Sequence, residues 1–210
     1  TARRAAVDEF NAANRWKKRG LSMVPMRYGH SYRQDQVVKV SVHAADGTVD
    51  VHHGGTELGQ GLTTKIQQMV AVTLGCDFDK IFVHATNTAV LPNMGITGGS
   101  TTSETCCEAA RIACEELNSR LARLKDKMTR ESEDGKPPAF GPLVAAANQG
   151  LTGADVKVNL SCTGQFTPQQ DDHTTGGPVN KSDGPTYFGL GAGVSEVEVD
   201  VLTGEVAVLR

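Results

Sequence analysis

Apolar residues follow a helical period in the long stretches of the chain and alternate in several short ones. Residues 3–18 read as a helix, with Ala6, Phe10, Ala13 and Trp16 on one face and Gly20 as its stop. Extended segments follow at 21–28, 37–44 and 48–53. Asp46-Gly47 between the last two signals a hairpin, and Val49 and Val51 alternate with Asp50 and His52 as in a half-buried strand. Ile66, Met69, Val70, Val72 and Leu74 give the next helix its apolar face, and Gly75 ends it. A short strand is predicted at 81–85 and a turn-rich stretch at 86–96. The longest helix runs over 102–128, with Ala109, Ile112, Ala113, Leu117, Leu121, Leu124 and Met128 in register. Glu104 and Glu108 near its start, and Arg120, Arg123, Lys125 and Lys127 near its end, complement the helix dipole. Beyond it lie a charged connector (131–139), a short helix (140–148), a strand (156–164) and a polar loop (168–185). A long extended run (187–201) then turns at Thr203-Gly204 into 206–209.

Composition narrows the classes. Lys plus Arg is 21 and Asp plus Glu is 24, a net charge of −3, which argues against a basic nucleic-acid surface. No segment reaches the ~20 apolar residues of a membrane span. The five cysteines (Cys76, Cys106, Cys107, Cys114 and Cys162) are odd in number and lack metal-ligand spacing, so they read as buried small hydrophobes in a reducing, cytoplasmic setting. His52 and His53 would point to opposite faces of a strand and so not share a metal. The chain begins without Met and stops in mid-pattern at Arg210, which reads as one piece of a longer polypeptide.

Glycine is in excess, 23 of 210 residues, and it is clustered: four in 54–61, three in 95–99 and three in 189–193. The first two groups, Gly54-Gly55-Thr56-Glu57-Leu58-Gly59-Gln60-Gly61 and Thr97-Gly98-Gly99-Ser100-Thr101-Thr102, each lead into a helix start. A helix start offers unpaired N–H groups and partial positive charge, so both loops read as cradles for an anionic ligand or cofactor. Ordinary N-capping by Ser100, Thr101 or Thr102 is the competing reading of the second. Gln60, an uncharged amide between two glycines, can donate and accept against a heteroatom-rich ligand. Glu57 reads as a base or, in the preferred reading, as a solvated or salt-bridged carboxylate. A dinucleotide fingerprint fails because Thr64 stands where its third glycine belongs, and no Gly-Lys-Ser/Thr triplet makes a P-loop.

These loops resemble those of the molybdenum hydroxylases, the xanthine dehydrogenase and aldehyde oxidase family. The first matches that family's first cofactor loop through Leu62-x-Thr64-Lys65, and Thr97 to Ser100 matches its second. Trp16-Lys17-Lys18-Arg19-Gly20 and the run from Val194 to Glu205 also agree, in order, so the resemblance spans nearly the whole chain. It implies an α+β fold, with mixed β-sheets and packed helices, forming part of a lobed molybdopterin-binding domain. Residues 1–210 would be an incomplete domain: 1–130 with both cofactor loops, a 131–139 connector, and a strand-rich 140–210. By position, Leu58, Gly59, Gln60 and Gly61 would contact the molybdopterin from one side. Thr97, Gly98, Gly99, Ser100, Thr101 and Thr102 would hold it from the other. The metal would be held by the cofactor's sulfurs and not by the protein.

The resemblance further implies two 2Fe-2S clusters and FAD elsewhere in the polypeptide, NAD or oxygen as electron acceptor, and a homodimer. It implies a cytoplasmic location, with the peroxisome as alternative, and no nucleic-acid or membrane partner. It places the catalytic glutamate beyond Arg210 and the flavin domain and cluster cysteines before Thr1, so no catalytic residue is assigned in 1–210 and the piece alone is expected to be inactive. Purine oxidation (hypoxanthine or xanthine), with oxygen from water, is the first reading, favoured by Trp16 to Gly20. Aldehyde oxidation is the alternative, favoured by Gly99-Ser100-Thr101-Thr102-Ser103-Glu104. A non-catalytic binding or assembly module that reuses the fold is the reading from another class.

Overall fold

The computed structural model describes residues 2–30, 35–149, 157–167 and 187–210. The expected polar loop at 168–185 lies outside the described residues. The chain forms two compact units, residues 1–30 with 173–210, and residues 31–172.

The first unit is built on a long antiparallel ribbon. Strand β1 (Lys17–His30) pairs over its full length with β6 (Tyr187–Asp200), and β7 (Val206–Val208) adds to the far edge of β6. Helix α1 (Ala2–Ala13) ends earlier than its periodicity predicts. Trp16 is exposed, and Gly20 is no helix stop but a strand residue opposite Val197. Fourteen paired residues outweigh one more helical turn, and the ammonium of Lys18 caps the helix by donating to the carbonyls of Asn11 and Asn14, both at 2.5 Å. The guanidinium of Arg3 grips the buried carboxylate of Glu196 at 2.5 and 2.7 Å, tying α1 to the ribbon. The third glycine group explains itself here: Gly189, Gly191 and Gly193 lie opposite Tyr28, Met26 and Val24. A methyl on Gly191 would stand 3.3 Å from the Met26 side chain.

The second unit is a four-stranded mixed sheet in the order β4–β3–β2–β5, where β2 is Gln36–Val42, β3 Val49–His53, β4 Ile81–Val83 and β5 Ser161–Phe166. The β2–β3 hairpin forms as expected, with Gly47 at φ 73° and His43 N–H donating to Thr48 O. Helix α2 (Leu62–Leu74) carries the chain from β3 to the parallel strand β4. Helix α3 (Thr102–Glu131) and α4 (Phe140–Gln149) complete the layer. Because α3 runs to Glu131, Arg120 to Lys127 lie within its body rather than in its last turn. One of them serves otherwise: Arg120 pairs with Glu116 and donates to Ser161 O on β5.

Alternation puts Val38, Val40, Val49 and Val51 on the face that meets Leu62, Ile66, Val70, Ala113, Leu117 and Val144. Cys106 and Cys114 are in this core, whereas Cys107 is only half-buried, so the face shared with Cys114 is that of Cys106. His53 points into the core and His52 away from it, stacking on His84 at 4.7 Å. Among the described residues no helix is long and apolar enough to cross a membrane.

Candidate functional site

Both glycine loops lie in the second unit and are joined to each other. Thr56 N–H donates to the hydroxyl of Thr97 at 2.7 Å, and the hydroxyl of Thr86 donates to Gly55 O at 2.8 Å. Gly55 leaves no room for a side chain: a Cβ there would stand 2.6 Å from Leu62 and 3.0 Å from Thr102, the first residues of α2 and α3. The starts of the two helices therefore converge on one glycine.

Between them lies a cleft of about 840 Å³. Leu58, Gln60, Thr97, Gly98, Gly99, Ser100 and Thr102 line it. Gly59, Gly61 and Thr101 do not; they shape the loops, Gly59 at φ 101° and Gly61 at φ 77°, with Thr101 buried beneath the start of α3. Lys65, Gln68, Met69 and Val72 on α2, and Ser103, Glu104 and Cys107 on α3, complete the lining. Positions 65, 68, 69 and 72 recur at helical spacing, which is the signal that could have found them. The buried face of α2 is Leu62, Ile66, Val70 and Leu74; Met69 is half-buried and packs against the core as its spacing predicts, while Val72, predicted on the same face, is 82% exposed.

Each helix start has a glutamate beside it, Glu57 at α2 and Glu104 in the first turn of α3. The start of α2 is already occupied by the chain's own anion. The Glu57 carboxylate accepts N–H bonds from Gly59 (2.9 Å), Gly61 (3.0 Å) and Thr63 (3.0 Å). Those bonds, that of Thr63 foremost, hold its pKa down at about 2. Glu57 is thus an exposed, ionised carboxylate, as the solvated reading has it, held by backbone N–H groups. At α3, Thr101 occupies the N-cap position, as the capping reading expects, but its side chain makes no capping bond. Ser100, at φ 60°, turns the backbone into this helix beside the cleft.

The Gln60 amide folds back on its loop, accepting from Leu58 N–H at 2.6 Å and donating to Thr56 O at 2.9 Å. One N–H and one lone pair remain for a ligand. The Lys65 ammonium lies 3.4 Å from the Ser103 hydroxyl across the cleft. Burial raises the pKa of Cys107, against the pull of Lys65. The lining therefore offers amides, hydroxyls, one ammonium, one carboxylate (Glu104), a thiol and a helix N-terminus, a donor-rich set that suits a large, heteroatom-rich ligand with an anionic group. Among the described residues no group of His, Cys, Asp and Glu side chains could hold a metal ion.

Comparison with known proteins agrees with this chemistry. The model of the molybdopterin cofactor-binding domain matches residues 1–210. The chain is 43% identical over 99% of its length to probable aldehyde oxidase 2 of Oryza sativa subsp. japonica and 39% identical to an indole-3-acetaldehyde oxidase of Zea mays. It is 36% identical over 97% of its length to aldehyde oxidase 1 of Macaca fascicularis. It spans only 14% of the length of each of these relatives. In fold it is similar to a Cu,Mo-CO dehydrogenase (TM-score 0.75, 17% identity, all of this chain and 27% of that one). It is also similar to the quinoline 2-oxidoreductase of Pseudomonas putida 86 (TM-score 0.72, 18% identity, 99% of this chain and 28% of that one). The chain belongs to the molybdopterin cofactor-binding domain family, that of the xanthine dehydrogenase and aldehyde oxidase type of molybdenum hydroxylase.

Proposed function

We propose that the cleft between α2 and α3 is one wall of the molybdopterin site of an aldehyde-oxidising molybdenum hydroxylase. The donor set of the cleft carries the reading: hydroxyls at Ser100, Thr102 and Ser103 around the start of α3 line it together with the ammonium of Lys65 and the amide of Gln60. Such a lining fits a pterin bearing a phosphate, with the anionic end toward α3 and the ring edges toward Gln60. When bound, the cofactor supplies a molybdenum centre for inserting a water-derived oxygen into a C–H bond. The residues of this chain bind and orient it and keep water from its pterin face; Leu58 and Val72 form the apolar part of that wall.

Aldehyde is preferred to purine because the relatives named above are aldehyde and indole-3-acetaldehyde oxidases. The purine reading rests on Trp16 to Gly20 alone, and these residues lie in the ribbon unit, not in the cleft. The full polypeptide is read as carrying the 2Fe-2S and FAD centres that pass electrons to NAD or oxygen, and as a cytoplasmic dimer. The test is steady-state turnover by that polypeptide. The expected result is a higher kcat/KM for indole-3-acetaldehyde or benzaldehyde than for hypoxanthine, and no turnover by residues 1–210 alone. Faster hypoxanthine turnover would restore the purine reading.

A further inference from the structure

We infer that Glu57 is a positioning residue for this cofactor, setting the shape of residues 58–61 and, through them, the orientation of the Gln60 amide. The inference rests on the cofactor reading above. Glu57 does not line the cleft, so any effect on a ligand passes through its neighbours. Its two oxygens gather three backbone N–H groups spread over five residues, Gly59 and Gly61 on Oε1 and Thr63 on Oε2. This wrapping requires the left-handed backbone of Gly59 and Gly61. Gly61 is also the N-cap residue of α2 and has no side chain to cap it, so Glu57 supplies the cap from four residues upstream.

The consequence reaches the cleft by one step. With the loop so wound, Leu58 N–H and Thr56 O lie 2.6 and 2.9 Å from the Gln60 amide and fix which atom of it points where. The same carboxylate compensates the positive end of α2.

The experiment uses the full-length oxidoreductase with three variants. Glu57→Gln keeps the size but turns one acceptor oxygen into a donor facing N–H groups. Glu57→Asp keeps the charge but shortens its reach. Gly75→Ala strains the opposite end of α2, where Gly75 sits at φ 69°, away from the cleft. Pterin retained per protein after gel filtration and the melting temperature are measured for each. The expected result is about tenfold less retained pterin in both Glu57 variants, the scale of losing a supporting contact behind a ligand-holding group. Gly75→Ala is expected to lose stability but keep its pterin. Unchanged retention in the Glu57 variants overturns the inference. So does retention that merely tracks melting temperature across all three variants, because Glu57 would then be a structural cap alone. Wild-type protein with no pterin overturns the proposed function instead.

Discussion

Gly164 on β5 is the position where one methyl group tests the packing behind the site most severely. A Cβ built there lies 2.1 Å from the carbonyl oxygen of Ala109 and 2.6 Å from the amide nitrogen of Ala113, both in α3. Real Cβ contacts essentially never fall under 3.0 Å, so the strand and helix must part by about 1 Å, and neither of these two atoms can swing aside because both are backbone. Overpacking of a close-packed core costs about 1–3 kcal/mol, and a backbone-on-backbone clash belongs at the upper end. With a slope of about 2 kcal/mol/M in urea, a loss of about 3 kcal/mol moves the unfolding midpoint of Gly164→Ala down by about 1.5 M. Far-UV ellipticity, dominated by α2, α3 and α4, follows the transition. Gly141→Ala is the paired control. It stands in α4 with no heavy atom within 4 Å of the new methyl, so it is expected to gain about 0.5–1 kcal/mol from the stiffer unfolded chain. Equal midpoints for Gly164→Ala and wild type would refute the close approach of β5 to α3.

Three further outcomes are expected. Gly98→Ala meets only the Ile96 side chain, at 3.5 Å, and leaves stability within ~0.5 kcal/mol of wild type, whereas Gly99→Ala, at φ 70°, costs about 1 kcal/mol; thermal melts of the two variants check this. The Glu57 pKa is depressed on folding, so its stabilisation is fully present above its ordinary value and is lost as pH falls from about 4.5 toward 2. An acid-unfolding curve of Glu57→Gln, set against wild type, should lack that loss over the same pH window. Alkylation of the native chain followed by peptide mass mapping should label the half-buried Cys76 and Cys107 before the buried Cys106, Cys114 and Cys162.

Where local pattern and tertiary demand coincide, the elements can be read from the chain. Leu62, Ile66, Val70 and Leu74 pack as their spacing requires, and Leu117, Leu121 and Leu124 do the same on α3. The pattern misleads at α1 because the end of that helix is set by a pairing 183 residues away, between Lys17 and Asp200, which no local window contains. It misleads again at Val72, whose apolarity serves a cleft rather than the core. The loop glycines point to the site because glycine is needed where backbone is wound tightly, as at Gly59 and Gly61, or approached closely, as at Gly55. The role of Glu57 stays hidden because its partners are backbone N–H groups, which every sequence supplies equally.

The most direct test of the cleft as a molybdopterin wall is amide hydrogen exchange on the full-length polypeptide with and without its cofactor. Protection on cofactor binding is expected at residues 58–60 and 97–104, where the loops and the start of α3 face the cleft, and at no part of the β1–β6 ribbon in the other unit. Unchanged exchange at both loops, with protection appearing elsewhere in the chain, would contradict the assignment.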